Sequence, residues 1–552
     1  MNKLLLVAAV SAAIFAGQAS AASAVPLLSN GNPDLSTATG ILKAGNVVNE
    51  IYIAGSSAAT PFIEQAIIND TLAGTTVYKI TDSAAAEFIY VGVVGANAFN
   101  TNGTLNSVSH AGEYYIVHKR DGGGSVVGIQ SALGTLASFA TDASITTALT
   151  GTGAGVTGTA VANTTLPTVS LAKTTAASAF TSTPTAANIN LADVDAAQFE
   201  SPLNLGVAAA STLTSTSIAT QTFGFAVTLH LRNALQKAAI AAGTLDATIC
   251  TTARTSATTG AADDLEDEVC MPSLTTEQLS SIWADNRLAD WGQLRYGSTA
   301  TSQNIWSNAD AADKPSARNI HLCSRTAGSG SLAITNVVFE NAPCTGANEA
   351  IQASTTKNNI TAESGVNKAY HSMNAQGDVE SCLAGLDAGT ASGNFTGANI
   401  PTSFRWAIGI LNSEKNNTLS TAYRFIKIDG YSPAAHNVAE GKYKFWAELS
   451  TVGTVASDDL TLDLLANVQN ATQIQSLNKI NANFGITGYL GIANNASYVP
   501  TYNTAINGLV NAAFDAARPV NPFTHDVANG GSGNHCRVAT IPGGAKALPV
   551  LK

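Results

Sequence analysis

The strongest constraint on the fold of this chain is a repeated pattern: a short apolar run ends in a turn rich in glycine and hydroxyl residues, and a helical pattern follows. The clearest examples are IYIAGSSAATPF at 51–62, DGGGSVVG at 121–128 and HLCSRTAGSGS at 321–331. Apolar strands that alternate with helices are typical of sheets covered by helices on both faces. The pattern therefore predicts an α/β fold.

Length and charge limit the classes of function. At 552 residues with 45% hydrophobic residues, the chain is long enough for two or more lobes with their own cores. Its 38 acidic and 27 basic residues give a net charge of −11, so a nucleic acid or an anionic membrane surface would repel it. We therefore expect no nucleic-acid partner and no membrane insertion.

The amino terminus has the pattern of a cleaved export signal. Lys3 precedes the apolar run Leu4–Ala16, and Ala19-Ser20-Ala21 forms an A-x-A cleavage site. The run is shorter than the roughly 20 residues that span a bilayer, and no cysteine directly follows it to carry a lipid. The sequence predicts a signal peptide over residues 1–21 and a soluble periplasmic or secreted protein.

The six cysteines fit an oxidising compartment. An even number of cysteines in an exported chain suggests disulfides. Closure between sequence neighbours favours Cys250–Cys270 and Cys323–Cys344, which leaves Cys382–Cys536 as a long-range pair. We expect no metal site and no cofactor, because no C-x-x-C occurs and the histidines do not cluster at ligand spacing with the cysteines.

The glycine and hydroxyl turns are suited to binding an oxyanion. Backbone N–H groups at a helix start attract negative charge, and Ser56, Ser57 and Thr60 add hydroxyl donors in the first turn. In the third turn Arg325 supplies a guanidinium, whose fork matches two oxygens of a tetrahedral anion. Each turn alone is more often a plain helix cap, but the three together favour an oxyanion cradle.

With these motifs the chain resembles, from about 48 to 450, the periplasmic phosphate-binding proteins of the ABC-transporter family, which have a two-lobe type 2 periplasmic-binding fold. The GSS at 55–57 resembles the first phosphate loop of that family, the GS at 124–125 the second, and the AD at 192–193 its Ser-Asp element. The stretch Arg325–Ser331 resembles its Arg-x-Asp-Gly-Ser-Gly-Thr signature. These pieces occur in the order of the family.

The resemblance implies a ligand shell, whose members are Ser57, Ser125, Asp193, Arg325, Ser329, Gly330 and Ser331. The serines and the helix start would donate hydrogen bonds, and Arg325 would be the only full positive charge. Asp193, with Asp195 as an alternative, would accept the proton that phosphate carries at neutral pH and so reject sulfate. The alternative for Asp193 is a plain N-cap before the helix that begins near Ala196.

Two features depart from the family pattern. Ala327 stands where the signature has Asp, so one group that orients the arginine or the ligand is absent. The chain is also longer than a usual member, with stretches rich in Ala, Thr and Ser. We predict a leader at 22–47, a first lobe from 48–218 and 440–552, a second lobe at 219–439, and soft regions at about 131–190, 341–400 and 451–475.

The sequence thus predicts an exported solute-binding protein that holds phosphate or a related oxyanion in an interlobe cleft, serves an ABC permease and is not an enzyme. The alternative is a secreted cell-surface or matrix protein on the same scaffold, which the low charge content and the insertions favour. A phosphatase-like hydrolase is less favoured. The candidates His525, Asp526, Ser532 and His535 lack a G-x-S-x-G elbow, and a polar C-terminal loop explains them better.

Overall fold

The computed structural model describes residues 24–71, 75–82, 86–95, 110–150, 156–160, 170–176, 180–250, 264–285, 287–297, 302–345, 350, 353–356, 358–363, 368–468, 474–475, 477–492, 501–503, 508–510, 514–526 and 533–540. The predicted signal peptide at 1–21 lies outside the described residues. Among the residues described, no helix has the length and apolar character needed to cross a membrane.

The strands are β1 Val48–Gly55, β2 Thr76–Asp82, β3 Glu87–Val93, β4 Tyr114–Arg120, β5 Ala137–Ala140, β6 Val156–Ala160, β7 Ser170–Ala176, β8 Ser182–Thr185, β9 Ile189–Ala192, β10 Ser215–Thr228, β11 Ser273–Leu274, β12 Arg295–Tyr296, β13 Gln303–Asn304, β14 Ile320–Arg325, β15 Lys368–Met373, β16 Ala407–Asn412, β17 Tyr423–Phe425, β18 Lys427–Ile428, β19 Trp446–Val452, β20 Lys479–Asn481, β21 Gly485–Thr487, β22 Tyr489–Ile492, β23 Thr501–Asn503, β24 Gly508–Val510 and β25 Val520–Asn521.

The α-helices are Thr60–Asp70, Ser125–Ala132, Asp142–Thr150, Leu229–Ala241, Thr276–Trp283, Ile305–Asn308, Gly330–Glu340, Gln376–Ala388, Ala435–Ala439 and Asp459–Val468. Short 3-10 helices occupy Ser57–Ala59, Ala196–Glu200, Pro202–Asn204, Ala210–Thr212, Asp264–Glu266, Glu268–Cys270 and Trp291–Gln293. The strands and helices alternate along much of the chain, so the predicted α/β class is confirmed.

Within the described residues the main sheet has 15 strands, and its principal path runs β15-β14-β16-β10-β19-β9-β1-β4-β3-β2-β7-β6. We call β9, β1, β4, β3, β2, β7 and β6 the first half-sheet, and β15, β14 and β16 the second half-sheet. The strands β10 and β19 lie between them. The order of strands agrees with two lobes that meet at β10 and β19, while the exact lobe boundaries stay a prediction.

The strand β10 joins the half-sheets because it changes partner along its length. Its first part, Ser215–Thr222, pairs antiparallel with β19, and its second part, Phe223–Val227, pairs antiparallel with β16. The sequence predicted only the stretch Phe223–Thr228 as a strand. The earlier part is rich in Thr and Ser, but it is buried almost throughout because strands flank it on both sides.

Helices cover both faces of the second half-sheet, as the alternation of side chains along its strands requires. Phe225 and Leu322 point to one face, where they join a core with residues of the helix Gly330–Glu340. Ala226 and Cys323 point to the other face and pack with residues of the helix Gln376–Ala388. The half-sheet is therefore buried on both sides, and apolar residues fill both faces.

The regions predicted to be soft contain regular structure. The region 131–190 holds the helix Asp142–Thr150, and its strands β6 and β7 extend the main sheet. The region 341–400 holds β15 and the helix Gln376–Ala388, and the region 451–475 holds the helix Asp459–Val468. These elements are hard to detect in the sequence, because Ala, Thr and Ser differ little in hydrophobicity and so give a weak periodic pattern of buried and exposed positions.

The segment predicted as a leader also packs into the fold where it is described. Leu35 and Ile41 are buried in a core with residues of β2, β3 and the helix Asp142–Thr150. The side-chain amide of Asn32 donates to the carbonyl of Leu149 at 3.0 Å. Residues 24–47 therefore cover one face of the first half-sheet.

Two of the predicted disulfides are wrong. The Cys250–Cys270 pair is confirmed, but the other bonds join Cys323 to Cys382 and Cys344 to Cys536. Cys323 faces the helix that carries Cys382, so that cysteine is nearer in space than Cys344, which follows another helix. Closeness along the chain misled the prediction because a strand and its next neighbour in space are often separated by a long crossover.

Candidate functional site

The first half-sheet brings three predicted site segments to one edge. The strands β4 and β9 both run parallel to β1, so the carboxyl ends of all three strands lie at the same edge. Ser56 follows β1, Ser125 begins the helix that follows β4, and Asp193 follows β9 directly. Such an edge is the usual place for ligand sites in α/β sheets.

The second half-sheet presents its own segments in the same manner. The strands β15 and β16 run parallel to β14. Arg325 is the last residue of β14, and Ser329 is the N-cap of the helix Gly330–Glu340 that follows. Asn374 follows β15 directly, and Gln376 begins the helix after it.

The two sets of segments are in contact. Nη2 of Arg325 donates to Oγ of Ser57 at 3.2 Å. Gly330 lies against the first half-sheet so closely that a Cβ atom on it would stand 2.5 Å from Cβ of Asp193 and 2.6 Å from Oγ of Ser125. Only glycine fits at position 330 in this arrangement.

Arg325 is the buried cation at the centre of this contact, with 2% of its surface exposed. Its Nε donates to the carbonyl of Met373 at 3.3 Å, and its Nη2 donates to the carbonyl of Asn374 at 2.9 Å. These two carbonyls orient the guanidinium. Burial lowers the pKa of Arg325, and the nearby Asp193 opposes that shift.

Hydroxyl groups surround the guanidinium. Nη1 of Arg325 donates to Oγ of Ser331 at 3.3 Å, and Oγ of Ser329 lies 3.0 Å from the same oxygen. A hydroxyl that accepts from a cation keeps its own O–H free to donate. Ser57 and Ser331 can therefore present polarised O–H groups to an anion, beside the N–H groups at the start of the helix Gly330–Glu340.

Asp193 is the buried acid of the site, with 3% of its surface exposed. The hydroxyl of Ser56 donates to its Oδ1, and its backbone N–H donates to Oγ of Ser125 at 3.1 Å. Burial raises the pKa of Asp193, against the effects of Ser56 and Arg325. The position suits a carboxylate that accepts a hydrogen bond from a protonated oxygen of a ligand.

The alternative assignments at this segment do not fit the geometry. Asp195, not Asp193, occupies the N-cap position of the 3-10 helix Ala196–Glu200, and its side chain makes no capping bond. The carboxylate of Asp195 instead accepts from the backbone N–H of His535 at 2.8 Å. Asp193 therefore remains the acid that lies beside the predicted anion shell.

Sequence reasoning missed a second buried cation. Lys119 is fully buried, and its Nζ donates to the carbonyl of Ser56 at 3.1 Å, to Oδ1 of Asp121 at 2.6 Å and to the carbonyl of Gly55. The resemblance implied that Arg325 is the only full positive charge of the site, but Lys119 is a second positive charge nearby. Because its ammonium group donates to three acceptors of the protein, Lys119 holds the loop after β1 in place. The feature of the sequence that could have indicated a buried Lys119 is its place at the end of an apolar strand, just before DGGGS at 121–125.

The structure thus brings the predicted site residues together. Ser57, Ser125, Asp193, Arg325, Ser329, Gly330 and Ser331 meet where the carboxyl ends of the two half-sheets face each other. The ligand shell that the resemblance implies did not include Ser56, whose hydroxyl donates to Asp193, or Gln376, whose Nε2 donates to Oγ of Ser331 at 3.4 Å. The ligand-binding role of the set stays a prediction.

Comparisons with known proteins give likenesses in structure alone. No protein-family model and no curated protein sequence matches the chain. A putative phosphate ABC transporter substrate-binding protein of Clostridium perfringens, solved with bound phosphate, is similar over 80% of this chain and 99% of its own, with 13% identity and a TM-score of 0.35. PstS of Borrelia burgdorferi is similar over 78% and 95%, with 11% identity and a TM-score of 0.29.

An ABC-type phosphate transport receptor of Vibrio cholerae is similar over 48% of this chain and 70% of its own, with 10% identity and a TM-score of 0.24. At such identities and TM-scores, the likeness assigns neither a ligand nor a partner to this chain.

Proposed function

We propose that this protein is an exported binding protein for phosphate or a closely related tetrahedral oxyanion. The anion would sit where the two half-sheets meet and would be held by Arg325, by the hydroxyls of Ser57, Ser125, Ser329 and Ser331, and by the helix start at Gly330. The observation that carries the proposal is the direct contact between Arg325 and Ser57, which come from opposite half-sheets. An anion between them would hold the two half-sheets together and favour the closed arrangement.

The buried acid narrows the choice of anion. A carboxylate beside an anion repels it unless the anion carries a hydrogen that can be donated. Phosphate carries one at neutral pH and sulfate does not, so Asp193 would favour phosphate and arsenate over sulfate. With the ligand bound in the closed state, a membrane permease would recognise the loaded protein and take up the anion.

Calorimetry tests the proposal on protein that has been unfolded, dialysed free of ligand and refolded. Phosphate and arsenate are expected to bind with a one-to-one stoichiometry, and sulfate is expected to bind at least about 100-fold more weakly, since an unpaired buried acceptor costs about 1–3 kcal/mol and charge repulsion adds to that cost. In D193N the discrimination between phosphate and sulfate should shrink. Binding of sulfate and phosphate with equal affinity by the natural chain would contradict the role given to Asp193.

The alternative, a secreted surface or matrix protein on the same scaffold, predicts no binding of any of these anions. It also predicts that the protein stays with the cells after washing, whereas a soluble binding protein would be released. The same calorimetry therefore decides between the two functions. Hydrolysis of a chromogenic phosphate ester by the natural chain would instead favour the hydrolase.

A further inference from the structure

The strand β19 and the C-terminal segment bring together a cluster of one acid and two histidines. Glu448 lies in β19, opposite Thr220 of the linking strand β10. His525 and His535 come from the described segments 514–526 and 533–540. The three side chains offer one ligand atom each, and these atoms lie within 4.8 Å of one another.

The geometry of the cluster leaves nitrogen and oxygen atoms facing each other. Nδ1 of His525 lies 2.7 Å from Oε2 of Glu448, and Nε2 of His535 lies 3.0 Å from the same oxygen. A neutral imidazole nitrogen with a lone pair cannot face a carboxylate oxygen unless a proton or a cation lies between them. Each of the two contacts therefore needs either the ring's own hydrogen or a metal ion between the nitrogen and the oxygen.

The second ring nitrogen of His535 is held by another acid. Nδ1 of His535 lies 3.0 Å from Oδ2 of Asp195. Histidines that bind a metal through one nitrogen usually donate their other N–H to a carboxylate, which fixes the ring and its tautomer. With Nδ1–H donated to Asp195, the lone pair of Nε2 faces Oε2 of Glu448 and also the backbone N–H of Glu448, which lies 3.3 Å from it.

The charge of the cluster also favours a bound cation. The side chains of Asp195 and Glu448 are 2% and 1% exposed, and their ion pairs within the described residues are made with histidines. No lysine or arginine pairs with either acid in the part of the chain that the structure describes. With neutral histidines the cluster holds two buried negative charges, which is costly without a cation.

We propose that Glu448, His525 and His535 form a binding site for a zinc ion. Two imidazoles and one carboxylate suit Zn²⁺ better than Ca²⁺ or Mg²⁺, which prefer oxygen ligands. Ligand atoms about 2.0–2.1 Å from a tetrahedral zinc ion lie about 3.3 Å apart, so the present separations need only small outward shifts. Three protein ligands leave a fourth position for water.

The site would stabilise the region beside the anion shell. Asp195, which orients His535, is two residues from Asp193, and Cys536 is bonded to Cys344 beyond the helix that begins at Gly330. A zinc ion would therefore join the C-terminal segment to β19 and to the segment after β9. The proposal departs from the expectation of no metal site, which rested on the absence of C-x-x-C and of histidines at ligand spacing with cysteines.

The test is a competition titration of the metal-free, oxidised protein with Zn²⁺ and a chromophoric chelator. We expect one zinc ion per chain. The variants H525Q and E448Q should each lower the zinc affinity at least about 100-fold, since each removes a direct ligand. H110Q is the matched control, because His110 also forms a histidine–carboxylate pair, with Glu113 at 2.8 Å, but is partly exposed and belongs to no group of three possible metal ligands in the described residues.

Replacement of zinc by Co²⁺ in the natural chain gives a second readout that needs no variant. The intense visible bands of four-coordinate cobalt are expected, while the weak bands of six-coordinate cobalt would overturn the proposal. Absence of zinc binding by the natural chain would also overturn it, and protons would then be the charges that hold the cluster. Zinc binding that H525Q and E448Q both retain would have the same consequence. Phosphate binding measured without zinc tests the proposed function separately.

Discussion

Nη2 of Arg325 lies 3.2 Å from the hydroxyl oxygen of Ser57, and this hydrogen bond connects the carboxyl edge of the second half-sheet to that of the first. The two residues are 268 positions apart in the chain. Ser57 lies just after β1, and Arg325 ends β14, and each of these strands runs parallel to its neighbours. The parallel order of the strands therefore brings a guanidinium and a set of serine hydroxyls to one place.

Replacement of Arg325 should remove most of the affinity for phosphate. Each hydrogen bond from a charged group contributes about 1.5–3 kcal/mol, so R325Q should raise the Kd of phosphate at least about 100-fold. R325K keeps the charge without the planar fork and should fall between R325Q and the natural chain. Calorimetry measures the effect, with R295Q at an exposed arginine as the control. Unchanged binding in R325Q would refute the proposed shell.

Alanine at position 330 should impair the anion site without preventing the helix from forming. The new Cβ would stand 2.5 Å from Cβ of Asp193, so the half-sheets must move apart in G330A. We expect phosphate affinity to fall about 10-fold or more, because about 1.4 kcal/mol of closure energy is a factor of ten. The control is G377A in the helix Gln376–Ala388, where a Cβ would meet nothing within 4 Å. G377A should bind phosphate normally and gain up to about 1 kcal/mol of stability. Equal phosphate affinities for the two variants would contradict this prediction.

The disulfide pattern can be checked directly by peptide mapping of the unreduced protein. We expect fragments that join Cys344 to Cys536, 192 residues apart, and Cys323 to Cys382. Because a longer closed loop restrains the unfolded chain more, the double variant C344S/C536S should lose about 5 kcal/mol of its free energy of unfolding, against about 3 kcal/mol for C250S/C270S. Chemical denaturation measures both. A fragment that joins Cys323 to Cys344 would show that the pairing described here is wrong.

Two buried histidines should make the stability of the second half-sheet depend on pH. Nδ1 of His321 lies 3.0 Å from Nε2 of His371, and Nε2 of His321 lies 3.2 Å from Oε1 of Glu363, which also pairs with Arg405. Burial lowers the pKa of both histidines, that of His371 well below its ordinary value. The unfolded chain therefore takes up protons below about pH 6.5 that the folded chain does not, so the free energy of unfolding falls as the pH drops.

The variant H371Q should flatten the dependence of Tm on pH between about pH 7 and pH 5, since one of the groups that causes it is gone. Glu363 acts in a separate range. Its hydrogen bond with His321 lowers its pKa to about 2, so its contribution is lost only as the pH falls below its ordinary value near 4.5. H436Q, at a histidine outside this group, is the control. If H371Q and the natural chain show parallel Tm curves above pH 5, His371 does not cause the effect.

Local patterns in the sequence predicted much of the secondary structure near the site. The apolar patterns predict a helix over 229–242 and a strand over 114–118, and the structure has the helix at Leu229–Ala241 and the strand at Tyr114–Arg120. The turn at Gly124 also agrees, because a positive φ of 71° before a helix is a conformation that glycine adopts readily. Such features depend on residues close together in the chain, so a single sequence contains the information for them.

Other features depended on neighbours that the sequence does not reveal. Nothing in the GSS motif distinguishes Ser57, which accepts from Arg325, from Ser56, which donates to Asp193. Lys119 is buried because the loop after β1 and Asp121 provide three acceptors, and these acceptors come from different segments. The sequence could place Lys119 at a strand end but could not show which atoms surround it.

The sequence by itself determined the kinds of element and the glycine and hydroxyl turns between them. Only the tertiary structure decided that the turns converge, that Cys323 bonds to Cys382, and that His525 and His535 meet at Glu448. The physical reason is that backbone conformation follows from local sterics and hydrogen bonding, whereas side-chain contacts follow from how strands order themselves in the sheet, and that order is set by packing over the whole chain.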